Sequence, residues 1–145
     1  MKSSNIGTAQ IVERIGINGQ KNFFAELGFF SPLMVEIIEK SFSPLPQGRW
    51  GWPRTVTASY GYGISVTMLH LASAIAAMVN DGWWLPATLL ERAPDQALPT
   101  RQIINSKTSD QIRHLMEEVV TSGTGKRAYL AGYRIGGKTG TANKF

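Results

Sequence analysis

The stretch from Thr67 to Val79 limits what this chain can fold into more than any other segment. Laid on a helix, Leu69, Leu71, Ala72, Ile75, Ala76 and Val79 leave almost no polar side, and Gly82 lies beyond its end. A helix that is apolar nearly all round, and rich in alanine and serine, belongs at the centre of a structure with other elements packed over it. The chain is 145 residues long, so the elements around that helix form one domain or part of one.

The flanking sequence supplies candidates. Ser3 or Ser4 can cap a helix running to about Ile15, with Ile6, Ala9, Ile11, Val12 and Ile15 as an apolar stripe and Gly16 as its stop. A second short helix from Gln20 to Leu27 places Phe23, Phe24 and Leu27 on one side, and Gly28 ends it. Over residues 33–40 two patterns compete. Ser31-Pro32 has the form of a helix start, whereas Val35-Glu36-Ile37 alternates like a short strand. From Ser41 to Tyr62 prolines and glycines replace periodicity, but Trp50, Trp52, Tyr60 and Tyr62 favour an ordered loop lying on the domain. Past the central helix, Trp83-Trp84-Leu85-Pro86 reads as a turn into a short extended segment over residues 87–90. A further helix from Ser109 to Thr121 turns Ile112, Leu115, Met116 and Val119 inward and stops at Gly123. A short helical turn within residues 125–132 leads to the last segment, Tyr133 to Ala142.

Several classes of function are excluded by composition. With 43% hydrophobic and 17% charged residues the chain is globular. Its net charge of +5 comes from basic residues scattered along the chain with no run of three or more, which does not make a nucleic-acid surface. The absence of cysteine removes disulfides, thiol nucleophiles and thiolate metal sites. His70 and His114 have no metal-ligand spacing, so neither metal nor cofactor is expected. The longest apolar stretch, Leu71 to Val79, is about half of what a membrane span needs.

The segment with most chemical content is the last. Gly132-x-x-x-x-Gly137-Lys138-Thr139 matches the phosphate-loop pattern letter for letter, which makes a nucleotide-binding module the alternative function. That loop needs a buried strand before it and a helix immediately after its Lys-Thr. Here a helical segment precedes it and Gly140 follows it. Read instead as Lys-Thr-Gly on a strand, Lys138-Thr139-Gly140 belongs with the Ser-x-Asn triplet Ser3-Ser4-Asn5 at the start of the chain. Locally, Ser3 and Asn5 have a simpler use as helix caps.

Three blocks occur in order: Ser3-Ser4-Asn5-Ile6-Gly7, Ser59-Tyr60-Gly61-Tyr62-Gly63-Ile64-Ser65-Val66-Thr67, and Gly136-Gly137-Lys138-Thr139-Gly140-Thr141-Ala142. Together they resemble the second half of the transpeptidase domain of class B penicillin-binding proteins, in the form found in division-specific, septal enzymes. The resemblance implies an α+β fold: a mainly helical piece of the penicillin-binding-protein and serine β-lactamase-like fold, ending in the Lys-Thr-Gly edge strand. It has departures. His70 stands where the family commonly has glutamine and reads as a helix-face residue, and no Ser-x-x-Lys occurs anywhere in the chain. The expectation is therefore a partial domain over residues 1–145, without the nucleophile's segment and without the strands and helix that close the fold, and inactive alone.

For the complete protein the resemblance implies a serine-type D,D-transpeptidase that cross-links peptidoglycan stem peptides ending in D-Ala-D-Ala during septal cell-wall synthesis. It binds β-lactams covalently, works with cell-division membrane proteins, and sits at the periplasmic face of the inner membrane through an anchor outside these residues. Ser3, Asn5 and Lys138 are the implied catalytic residues, with Ser3 relaying a proton, Asn5 holding the substrate amide and Lys138 supplying positive charge. Thr139, Gly140 and Thr141 are the implied substrate-binding residues, with a Thr141 N–H as one oxyanion donor. An unpaired Lys-Thr-Gly strand would also leave an open edge suited to a homo-oligomer.

Overall fold

The structure is a computed structural model that describes residues 3–37, 48–93, 96 and 98–140. Among the described residues the regular structure is four helices and one small sheet: α1 (Asn5–Glu26), α2 (Trp52–Ala58), α3 (Met68–Val79), β1 (Trp83–Trp84), β2 (Arg101–Gln102) and α4 (Ser106–Thr121), followed by a 3₁₀ turn at Lys126–Ala128. The expected mainly helical α+β class is what the elements show.

α1, α3 and α4 each begin where a side chain satisfies a first-turn amide, whereas α2 starts after Gly51 without a side-chain cap. Ser4 Oγ accepts from the Gly7 N–H at 3.1 Å, Thr67 Oγ1 from His70 N–H at 3.2 Å, and Asn105 Oδ1 from Thr108 N–H at 2.8 Å. The last of these caps starts α4 at Ser106 rather than at Ser109. α1 is two helical segments meeting at Gly16, whose φ of 75° and ψ of 170° no helix accommodates. The break expected at Gly16 is therefore present, and glycine carries it because only a residue without Cβ adopts that conformation cheaply.

The second segment of α1 carries the core. Leu27, Phe29 and Ala74 are buried together, with Phe23, Phe24, Phe30, Ile64, Val66 and Ile103 around them. Phe24 meets Phe29, Phe30 and Trp50 at centroid distances of 5.6, 6.4 and 6.2 Å, in tilted or edge-on contacts of the kind aromatic quadrupoles favour. Trp50, on Phe24 and Phe30, shows that the described part of the aromatic loop, from residue 48 on, lies on the domain; residues 41–47 lie outside the described residues. That loop contains an element the sequence pattern did not disclose, α2. Gly51 precedes it and Pro53 stands in its first turn, and seven residues are too few for a helical period to show. Inside the joint of α1 and α2, Gln20 Nε2 donates to Thr55 O at 2.9 Å and Trp50 Nε1 to Thr55 Oγ1 at 3.1 Å, so the fully buried Thr55 is hydrogen-bonded.

A second joint forms between α3 and α4. Ser109, fully buried, donates to Met78 O at 2.8 Å, and the Arg113 guanidinium reaches the Val79 carbonyl at the end of α3 and both Asp81 and Asp110. A cation that supplies donors to the last carbonyls of a helix suits the negative end of its dipole. β1 and β2 pair antiparallel, Trp83 with Gln102 and Trp84 with Arg101. The Arg101 guanidinium stacks 4.0 Å from the Trp84 ring centroid and donates to Glu26 O, tying the sheet to the end of α1.

Four expectations need correction. α3 is central in sequence but buried only on the side of His70, Ala74 and Ala77. Met68 is 83% exposed, and Leu69, Leu71 and Ile75 are also exposed, because among the described residues β1, α4 and the turn after α1 cover one side of this helix and leave the other open. The stripe of the first α1 segment is likewise open: Val12 is buried, while Ile6, Ile11 and Ile15 face out, since α2, the helix packed on α1 among the described residues, leaves them uncovered. On α4, Leu115 is exposed, and Val119 and Val120 are the buried pair. Residues 33–37 are neither helix nor strand, and residues 38–40 lie outside the described residues.

Glu36 anchors that irregular segment. Its carboxylate accepts from Thr88 Oγ1 at 2.6 Å, from Leu89 N–H at 2.9 Å and from Arg92 at 3.4 Å. The Thr88 hydroxyl, then the Leu89 amide, lower its pKa from 4.5 to about 2. The folded carboxyl thus titrates below the unfolded one, and its stabilising contribution is complete above pH 4.5 and disappears as the pH falls towards 2. Thermal midpoints measured across that window should fall less steeply for Glu36→Gln than for the parent protein; parallel curves would remove Glu36 from the acid response.

Candidate active site

Between Ser3 and Asn5 it is Ser4 that caps α1, with extended backbone at φ −101° and ψ 116°. The capping use considered for Ser3 and Asn5 therefore falls to the residue between them. Both Ser3 and Asn5 are exposed at the positive end of the helix, free of the cap that holds the turn in place.

The other motif sits on α4. Residues 134–140 cross the C-terminal half of that helix without regular structure, so the Lys-Thr-Gly segment is not a strand: among the described residues it has no ladder partner. Its ties are to the helix instead. Arg134 pairs with Glu117 at 2.7 Å, Gly137 N–H donates to Met116 O at 3.1 Å, and the Thr139 and Thr124 hydroxyls meet at 2.9 Å. The close approach depends on Gly136, where a Cβ would come within 3.0 Å of Met116 Cβ and 3.2 Å of the Glu117 nitrogen. A small recess of about 160 Å³ lies under the segment, lined among others by Val119, Val120, Gly137 and Lys138. Lys138, Thr139 and Gly140 are all exposed, and the Lys138 ammonium donates to the Thr139 carbonyl at 2.7 Å. Thr141 lies outside the described residues.

The geometry therefore presents the two motifs on separate supports. α1 packs on α2, α4 packs on α3 and the 3₁₀ turn, and no hydrogen bond among the described residues joins Ser3 or Asn5 to Lys138. The phosphate-loop alternative fails on structure. Before Gly132 the chain is a 3₁₀ helix and a turn rather than a buried strand, and residues 134–140 have no regular structure. His70, as expected, is not exposed chemistry. It is buried, with Nε2 donating to Ser31 O at 2.9 Å and Nδ1 at 2.7 Å from the Thr67 hydroxyl. A carbonyl can only accept, so the proton sits on Nε2 and Nδ1 accepts from Thr67. Ser31, read as a helix start, serves there as an acceptor. Among the described residues no three potential metal ligands come together.

The sequence model of the penicillin binding protein transpeptidase domain matches residues 1–145. The chain belongs to the penicillin-binding protein transpeptidase family. A probable peptidoglycan D,D-transpeptidase FtsI of Caulobacter vibrioides is 34% identical over 146 residues, which take in 99% of this chain and 25% of that protein. Among solved structures, the transpeptidase domain of Burkholderia pseudomallei penicillin-binding protein 3 superposes with a TM-score of 0.89 at 31% identity, over 98% of this chain and 44% of that one. Penicillin-binding protein 3 of Mycobacterium tuberculosis, complexed with aztreonam, gives 0.87 at 26% identity, over 99% and 36%. The chain thus spans about a quarter of the length of the first curated relatives it matches. Nothing in these comparisons supports a nucleotide-binding protein.

The sequence-level site residues leave out one side chain, Thr124. Fifteen residues before Thr139, between Gly123 and Gly125, it carries no motif of its own, and only its hydroxyl contact reveals it.

Proposed function

We propose that these residues are part of a septal peptidoglycan D,D-transpeptidase that acts on stem peptides ending in D-Ala-D-Ala and is acylated by β-lactams. The observation that carries this is the Lys138-Thr139-Gly140 segment, all three residues exposed, tied to α4 just before it through Gly137 N–H and Met116 O and to the loop after α4 through the Thr139 and Thr124 hydroxyls. An exposed row of backbone with a cation and a hydroxyl is what a peptide ending in a carboxylate needs in order to lie alongside it.

In the proposed reaction a serine hydroxyl from a Ser-x-x-Lys segment elsewhere in the protein attacks the carbonyl carbon of the penultimate D-Ala. The C–N bond to the terminal D-Ala breaks, its nitrogen takes a proton, and free D-Ala leaves. An amine of a second stem then attacks the ester, forming the cross-link and returning the serine. Ser3 would pass the proton, because a hydroxyl both donates and accepts. Asn5 would hold the substrate amide through its carbonyl and NH₂. Lys138 would favour the neutral form of the upstream lysine by like-charge repulsion and attract the substrate's terminal carboxylate. Thr139 and Thr141 would donate to that carboxylate, and Gly140, with open space where a Cβ would stand, leaves room for the peptide.

The exposed apolar sides of α1 and α3 support the partial-domain reading, since Ile6, Met68, Leu71 and Ile75 would be covered by the rest of a transpeptidase domain. Cell-division membrane proteins are the proposed partners of the complete enzyme, at the outer face of the inner membrane; among the described residues no helix is long and apolar enough to cross it. The unpaired flank of residues 138–140 would receive the stem peptide, and the same flank suits a second copy of the chain. Labelling with a fluorescent penicillin, followed by denaturing electrophoresis, tests the whole assignment. The complete protein should carry label, and the 15.9 kDa chain alone should not; an unlabelled complete protein would overturn the function, and a labelled chain the claim that its nucleophile lies elsewhere.

A further inference from the structure

The contact between Thr124 and Thr139 points beyond the motif. Each hydroxyl has one proton and two lone pairs. At 2.9 Å one of the two must donate to the other. A carboxylate only accepts, so Thr139 can bind one only by giving it its proton. Thr139 must then receive a proton from its neighbour, and that neighbour is Thr124. The other polarity, with Thr139 donating to Thr124, spends the proton the ligand needs.

Thr124 is held for this purpose by the same helix that holds Thr139. Gly125 N–H donates to Val119 O at 2.8 Å, and a Cβ at Gly123 would come within 2.9 Å of Val119 Cα, so the loop lies directly on the end of α4. Gly137 is fixed one turn earlier, on Met116 O. Both threonines are exposed, so a ligand can reach the pair. We propose that Thr124 is a positioning residue that donates its hydroxyl proton to Thr139 and thereby turns the Thr139 O–H outward, towards the carboxylate of a stem peptide or β-lactam. Hydrogen bonds in such a chain polarise one another, which strengthens the outer, charge-assisted bond.

This rests on the assignment of Thr139 to the carboxylate, and the test separates the two. In the complete transpeptidase, acylation rate constants are measured with a penicillin and with its carboxyl methyl ester, for the parent and for Thr124→Val, Thr124→Ser and Thr139→Val. Thr124→Val keeps the shape and removes the proton; it should slow the free acid about tenfold and leave the ester rate nearly unchanged, narrowing the discrimination between them. Thr124→Ser should restore it, which a purely space-filling role would not predict. If Thr139→Val loses the discrimination and Thr124→Val keeps it, the relay is wrong and the Thr139 assignment stands. If Thr139→Val keeps it, both fall. A parallel loss for acid and ester, with a lowered melting temperature, would make Thr124 structural only. Thr124→Ala gives the same comparison should the valine variant not fold.

Discussion

Replacing Gly82 by alanine should cost this protein more stability than any other single methyl group added to a glycine. Gly82 has φ 85°, and a Cβ there would stand 1.8 Å from Ile104 O and 2.6 Å from Ile104 C. Both atoms are backbone, so no side-chain rotation relieves the clash. The Gly82 carbonyl also accepts from Ile103 N–H at 2.8 Å, the bond that brings the chain back beside β1 before α4 begins. Forcing the two segments apart would break that bond and unseat Ile103 from the core. Left-handed strain and overpacking together amount to about 3 kcal/mol or more, a fall of about 10 °C in melting temperature. Gly132 is the control, with φ 84° and no atom within 4 Å of an added Cβ. Gly132→Ala should cost only the conformational part, about 1 kcal/mol. Thermal unfolding of the two variants in the complete enzyme decides the matter, and equal losses would mean the Ile104 contact is unimportant.

The second large effect is on chemistry. Lys138→Ala in the complete transpeptidase should lower the acylation rate constant for a fluorescent penicillin by about 10- to 100-fold, because a hydrogen bond to a charged group contributes about 1.5–3 kcal/mol. The melting temperature should hardly change, since the exposed ammonium's hydrogen bond within the structure is to the neighbouring Thr139 carbonyl. Lys138→Arg keeps the charge and replaces a compact ammonium by a planar fork, so it should recover part of the rate and not all of it. Wild-type acylation by Lys138→Ala would remove Lys138 from the site.

How far the site could be read beforehand follows from where its information lies. Ser3-Ser4-Asn5 and Lys138-Thr139-Gly140 are short covalent strings whose chemistry is carried by residue type and order. They are legible in one dimension, as is the glycine that breaks α1 at residue 16. Contacts such as that of Glu36 with Thr88, 52 residues on, have no signature along the chain. The strand expected at Lys138 illustrates the same limit. A strand exists only with a partner to bond to, and local sequence cannot say whether that partner is within reach.

By itself the sequence determined the family, the helical framework with its caps and breaks, and the residues proposed for the chemistry. These depend on side-chain identity and on periods of a few residues. Tertiary structure alone decided that α2 packs on α1 from within the aromatic loop and that α3 is covered on one side. It also decided that Thr124 stands against Thr139. Each is a question of which groups meet across many residues of intervening chain, and that depends on packing, which compares the whole surface of one element with the whole surface of another.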